Sequence, residues 1–471
     1  ESPFFIYSGL ILLVFGNGFF KPNMVSIVSE MYKDRPEKKD GAYTIFYMGV
    51  NSGAFFGIVL CGYLGEQVGW NWGFGLAGIF MLFGLIQFWL SRNIFGDIGL
   101  KPVKKEVALT DENNDTLNPF SIWQLALIGI MIVLGLVWII FEPAKIITEG
   151  GVDLFNFEVM GLTGNNFTIL LAVVLFLFLL TYRLLTYSQI TKEKMIAVTF
   201  FAFLTIFFWA IFEQSPGTLT IFANDYTNRI LEGNAGTIFM IVNAAITLVP
   251  LGIITWVLFL LFKQTFAKYA MANIVLAISF VIIWGIAFWM FNDQFSGETL
   301  EVPASWFASL NSLYIITLAP LFSKWWESKY NPSANMKYAI GMSFLAIGMI
   351  CVAIGSDGIV PGAKTASVSM IYLILVYLFI TMAELCISPV GLSYVSKLVP
   401  ARMIGMMFGI WYLAVAIGMK GAAKFGENID KIADEKGLSY FFWMLAIVSL
   451  AVAFISLVMS PIIKKLMHGV R

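Results

Sequence analysis

Thirteen apolar runs, each long enough to cross a lipid bilayer, take up most of this chain of 471 residues. They fall near 3–31, 40–64, 70–91, 121–142, 167–188, 195–224, 236–262, 269–291, 303–323, 337–355, 366–396, 402–420 and 440–463. A helix needs about 20 apolar residues to span a bilayer. Inside lipid the backbone must satisfy its own hydrogen bonds, so every run is expected to be a helix. Composition agrees: 59% of residues are hydrophobic and 12% charged, against about 25% charged in soluble proteins. The expected fold class is therefore all-α and polytopic. The largest pieces outside the runs (93–120, 143–166 and 421–439) are too short for a folded domain. Whatever the chain does, its membrane part does it.

Several function classes drop out. A net charge of zero, with no isolated basic block, argues against nucleic acid as a partner. Cys61, Cys351 and Cys386 lie in apolar runs without CxxC spacing, and His468 is the sole histidine, so no metal centre is expected. There is no Gly-rich phosphate loop, GxSxG or HExxH motif. We expect neither an enzyme nor a bound cofactor. No signal peptide is visible, and a chain that opens on Glu1 reads as starting in mid-protein.

Basic residues set the expected orientation. With the N-terminus outside, alternate segments hold 21 of the 29 lysines and arginines, and the outer segments hold seven. Lys21 is left within a run. By the positive-inside rule the C-terminus is cytoplasmic.

Three ionisable side chains lie deep within the runs: Lys21, Glu213 and Glu384. A charge at that depth costs several kcal/mol, about 2.5–3.5 on insertion scales, and normally faces a wet cavity or a partner. Each has a proline nearby. Pro216 cannot donate to the carbonyl of Phe212, and Pro389 likewise frees that of Leu385. Three charges at three broken helices read as the walls of a polar site, with Lys21 expected to pair with Glu384. Trp209 stands one turn before Glu213, Ser388 one turn after Glu384, and Tyr47 and Asn51 share a face of their run. The plainer alternatives are a static buried ion pair and, for Asn51, glue between helices.

At these residues the chain resembles the proton-dependent oligopeptide transporter family of the major facilitator superfamily. The matching segments are GNGFFKPN (16–23), FYMGVNSGAFFG (46–57), FFWAIFEQSPGTLTIFANDYTNR (207–229), PASWFASLNSLYIITLAP (303–320), and the Glu384 stretch through GMMFGIW (405–411). The second is close to a family signature. The resemblance implies two six-helix bundles rocking about a central site, with this chain carrying family helices four to six (1–92), a linker with an extra helix pair (93–194), and helices seven to twelve (195–471). Runs 236–262 and 269–291 have no counterpart. They are expected to form a peripheral hairpin, at about 233–296, without buried charge. By the same correspondence the family's first three helices, with their glutamate and arginine motif, lie before residue 1, and the polypeptide as given would not transport.

The resemblance also implies roles. Lys21 faces the site. Tyr47, Asn51 and Asn311 hold the peptide backbone and amino terminus, although Asn311 here precedes Ser312 where the family usually has proline. Glu384 receives the amino group with Ser388 beside it, Trp209 and Trp411 wall side-chain pockets, and Glu213, with Lys21 and Glu384, serves proton coupling. Asp225, twelve residues beyond Glu213, is expected at the outer rim as a gate, unpaired because its partner would lie on the missing second helix. The short segment 355–367 fits a bacterial member. The expected function is proton-coupled import of di- and tripeptides across a bacterial inner membrane, with protons, peptides and the lipid bilayer as partners. The rivals are a relative moving nitrate or another small solute, and a non-transporting scaffold or membrane enzyme with structural charges.

Overall fold

Apolar segments that lipid cannot hydrogen-bond satisfy their backbones locally, and helices dominate the result. The computed structural model describes residues 3–32, 34–35, 39–100, 119–296, 300–399 and 404–469. In chain order the helices are α1 (Pro3–Met31), α2 (Lys39–Gln67), α3 (Trp70–Leu90), α4 (Ile122–Ile147), α5 (Gly164–Leu184), α6 (Gln189–Phe212), α7 (Thr218–Asp225) and α8 (Gly233–Ser296). Then come α9 (Trp306–Glu327), α10 (Ala334–Gly355), α11 (Ile371–Leu398), α12 (Ile404–Glu427), α13 (Ile429–Lys436) and α14 (Leu438–Leu466). Among the described residues, ten helices are long and apolar enough to cross a membrane. One of them, α8, is 64 residues long and turns at Tyr269, where φ is −131° and ψ 44°. The two remaining apolar runs of the sequence correspond to α1 and α12.

Packing divides the chain into two compact units, one formed by the described residues of 1–42 and 97–196, the other by 43–96 and 197–469. In the first, α4 packs on α5 and α1. Its polar anchor is Arg183, buried near the end of α5. The guanidinium donates to Gln124 Oε1 at 3.0 Å and to the Tyr187 hydroxyl at 2.9 Å, and lies 4.0 Å from the Phe120 ring centre. Gln124 Oε1 also accepts from the Ser121 N–H at 3.1 Å, so one amide oxygen both closes the first turn of α4 and holds the arginine.

In the second unit α10 is the axis, packed against α11 and α14. The sequence allows this by placing small residues where the neighbours come closest, as membrane helices require. A Cβ added at Gly341 would sit 2.7 Å from Ile387 Cγ1, and one at Gly348 would meet Phe379 and Val376 at 3.3–3.4 Å. Polar pairs fix the register. Asn335 Nδ2 donates to the Ser456 carbonyl (3.2 Å), Ser456 Oγ returns a bond to the Asn335 carbonyl (2.9 Å), and Tyr338 meets Thr205 of α6 at 2.9 Å.

The arms of α8 run antiparallel. Asn243 bonds Gln294, Thr255 bonds Trp284 and Thr265 bonds Asn273, three rungs centred on Tyr269. The hairpin is tied to its own unit at its foot. Asp293, two residues past the apolar run, accepts from the buried Tyr63 hydroxyl of α2 at 2.5 Å, and Trp289 packs edge-on against the same ring. The short strand Ile230–Leu231 enters the hairpin and pairs antiparallel with Leu300–Glu301, which leaves it.

The α10 seam yields a direct test. Gly341→Val should cost about 1–3 kcal/mol, the usual range for overpacking a tight core. Gly285→Ala, with nothing within 4 Å of its added carbon, should leave the thermal unfolding midpoint in detergent unchanged or slightly raised.

Candidate functional site

Pro216 and Gly217 end α6 and delay α7 until Thr218. Pro216 removes a donor, and Gly217 takes a non-helical conformation (φ −104°, ψ −90°). Glu213 is the first residue past α6 and is half-buried. The sequence reading expected breaks at all three charges, but α1 runs on through Lys21 and α11 through Glu384 and Pro389. The difference is the adjacent glycine: Pro22 and Pro389 are not followed directly by one, and a lone proline removes a single donor.

The carbonyl of Phe212 was expected to be left free beside Glu213. Instead it accepts from the Ser215 N–H at 3.0 Å and from Ser215 Oγ at 2.8 Å. Three further side chains stitch the break. Gln214 Nε2 donates to the carbonyls of Ala210 (3.0 Å) and of Ala422 on α12 (3.1 Å), while its Oε1 accepts from Thr218 Oγ1. Tyr377 of α11, fully buried, donates its hydroxyl to the Ser215 carbonyl at 2.9 Å.

From Tyr377 a polar line continues to Glu384. The Tyr377 carbonyl accepts from Thr381 Oγ1 (2.7 Å), and Thr381 Oγ1 accepts from Asn311 Nδ2 of α9 (3.1 Å). The same nitrogen donates to Glu384 Oε2 at 3.0 Å. Asn311 and Glu384 are thus brought together, and Tyr47 of α2 lies within electrostatic reach of the Glu384 carboxylate. Tyr47 is 44% exposed, whereas Asn51 is only 7% exposed and donates to the carbonyl of Tyr47 at 3.0 Å. Ser388 Oγ is buried without a hydrogen-bond partner among the described residues.

The two tryptophans differ. Trp209 is half-buried, edge-on to Phe212, at a point where Gly418 lets α12 approach α6. Trp411 is 4% exposed and lies so close to Gly391 that a Cβ there would overlap its ring. It packs α12 on α11. The side chain of Lys21, and with it the expected pairing with Glu384, lies outside the described residues.

Asp225, expected to lack a partner, has one. Lys364 Nζ, on the segment before α11, stands 3.0 Å from Asp225 Oδ2. The base is the lysine of segment 355–367, within the same unit, rather than one on the family's second helix. That segment reaches α7 because the short strand Thr227–Asn228 pairs in parallel with Val368–Ser369. Nearby, Arg229 pairs with Glu301 at 2.7 Å and donates to the Val302 carbonyl at 2.6 Å. Gln214, Ser215, Tyr377 and Thr381 were also missed. Thr381 and Tyr377 do stand three and seven residues before Glu384, the spacing of one helix face.

A family model described as PTR2, POT family, matches residues 2–110 and 261–432. The peptide transporter YePEPT of Yersinia enterocolitica subsp. palearctica is 27% identical over 433 residues, covering 90% of this chain and 68% of the relative. A di-/tripeptide transporter of Lactococcus lactis subsp. cremoris is 24% identical over 472 residues, covering 99% and 77%. Among solved structures, a peptide transporter POT in complex with sulfate aligns with a TM-score of 0.64 and 25% identity over 98% of this chain and 75% of its own. A POT family transporter in complex with a thioalcohol-conjugated peptide shares the fold, with a TM-score of 0.67 at 22% identity over 98% and 77%.

Tyr377→Phe should isolate the link between the break and the Glu384 pair. Loss of one buried hydrogen bond costs about 0.5–1.5 kcal/mol. Hydrogen exchange at the amides of 213–219 should rise while α14 amides stay protected.

Proposed function

This chain belongs to the POT family, whose fold is that of the major facilitator superfamily, and from that premise we propose that it imports di- and tripeptides together with protons by alternating access. The observation that carries the proposal is the Glu384 carboxylate held by Asn311 across α9 and α11. Both amide hydrogens of Asn311 have acceptors, in Thr381 and Glu384, which leaves its Oδ1 to accept from a donor. An incoming peptide carries such donors in its ammonium group and its amide N–H. In this reading the ammonium pairs with Glu384 in a charge-assisted bond. Tyr47, Asn51 and Ser388 supply polar contacts, and Trp209 bounds the space.

Glu213 serves as the proton carrier. It stands at the sole interruption of the α6–α7 span, two residues from the carbonyl that Tyr377 grips. A change of charge at Glu213 can therefore bias the same polar line that ends at Glu384. Asp225 acts at the rim, where its exposed pair with Lys364 is readily hydrated and screened. The protein works in a bacterial inner membrane with its C-terminus in the cytoplasm, as its basic residues favour. An anion such as nitrate would meet a carboxylate at Glu384, and the reading as an anion transporter loses by that repulsion.

Purified and placed in proteoliposomes, the protein should accumulate dialanine under an inward proton gradient. A protonophore should abolish accumulation, and uptake unaffected by it would refute the coupling. Hydrogen bonds to charged groups are worth about 1.5–3 kcal/mol. Glu384→Gln and Asn311→Ala should therefore each weaken dialanine binding about tenfold or more, with Asn311→Ala raising KM before it lowers folding yield.

A further inference from the structure

The end of the second unit where α9 gives way to α10 gathers positive charge that the transport site does not use. Lys337, four residues into α10, is only 7% exposed. Its ammonium lies 4.5 Å from the centre of the Trp326 ring, and Trp326 is itself stacked on Trp325 at 4.5 Å. Lys397, near the end of α11 and exposed, stands close enough to repel the Lys337 charge. Its own ammonium lies 5.8 Å from the Tyr394 ring. A third positive element is the start of α10, whose first-turn N–H groups point toward this end, and a cation there opposes the helix dipole.

Among the described residues no acid balances these three: Lys397 has the C-terminal turn of α11 beneath it, while Lys337 has no carboxylate. No ion pair joins either lysine to an acid. The nearest acid in sequence, Glu327, is turned to the Ser323 hydroxyl at 3.3 Å. The other ionisable neighbour of Lys337 is Cys386, a buried thiol rather than an acid. A ring face offsets part of the desolvation of an ammonium, but it does not offset a second cation beside it.

We propose that Lys337 and Lys397 form a binding site for a phosphate-bearing anion, with Trp325 and Trp326 as its apolar wall. The occupant this arrangement fits best is the headgroup of an anionic phospholipid. Two lysines bind phosphate as point charges, and stacked indoles suit the boundary between headgroup and acyl chain. Basic pockets between membrane helices hold anionic headgroups by this chemistry. Soluble phosphate shares that chemistry but has no use for the indole wall.

The test is thermal unfolding of the purified protein in a neutral detergent, alone and with phosphatidylglycerol, phosphatidylcholine or millimolar inorganic phosphate. Phosphatidylglycerol should raise the midpoint by several degrees more than phosphatidylcholine. Lys337→Met should be at least as stable as the parent in bare detergent, because it removes an unbalanced buried charge, and should lose the phosphatidylglycerol gain. Lys397→Gln, an exposed change that leaves the core intact, should lose part of the gain. Equal shifts from the two lipids, or the same phosphatidylglycerol gain in parent and both variants, would overturn the site. So would equal losses for Lys337→Met with and without lipid, which mark a purely structural stack on Trp326. Full reproduction of the gain by inorganic phosphate, abolished in Lys337→Met, would support the site and assign it to soluble phosphate.

Discussion

In lipid every backbone N–H and C=O has to find a partner within the protein, and the five residues from Glu213 to Gly217 are where regular helical partners give way to turns. What replaces them decides much of the second unit. Ser215 returns to Phe212, Gln214 reaches back to Ala210 and across to α12, and Tyr377 comes over from α11. A break that cost nothing in water is here a demand for three specific side chains. Because two belong to the break and one to α11, the interruption in one helix becomes a mechanical tie to the next. Through Thr381 and Asn311 that tie ends at the carboxylate of Glu384.

Much of this is legible in the residues alone. The apolar runs mark the helices, including both arms of α8, because length and hydropathy alone decide which segments lipid accepts. Glu384 and Glu213 stand out by the same logic, since a charge in an apolar run needs a reason. Asn311 entered only through resemblance, because an asparagine in a span is usually glue between helices. What stayed hidden was tertiary. That Lys364 turns back to Asp225 depends on a two-residue strand pairing too short to carry a periodic signal. That α11 stays whole at Pro389 while the α6–α7 span breaks at Pro216 hinges on which residue follows the proline. Trp411 looked like a pocket wall by family and is a packing piece by contact, laid on a glycine that could have been read as loose helix.

The same need for partners separates the two kinds of buried polar group in this chain. Arg183 is supplied with an amide oxygen, a hydroxyl and a ring face from neighbouring turns. Lys337 receives a ring face and a neighbouring cation. One arrangement draws three neutral partners from its own unit, and the other looks outward for its counterpart. The distinction rests on geometry rather than on residue type, which is why the list of lysines by itself could not make it.

The ladder at the foot of α8 carries a consequence for how such a chain can change in length. Ile230 faces Glu301 and Leu231 faces Leu300, while the Val302 N–H donates to the Arg229 carbonyl one step further out. The two ends of the hairpin are therefore held at the spacing of paired strands, roughly 5 Å, by residues that are not themselves part of it. Once that junction is closed, the entropy of looping grows only slowly with the length of what lies beyond. The position between Leu231 and Leu300 is thus a graft point. A tight turn, a hairpin of another length or a separate domain with adjacent termini could stand there with α7 and α9 kept in register, provided that the graft gives Tyr63 an acceptor in place of Asp293.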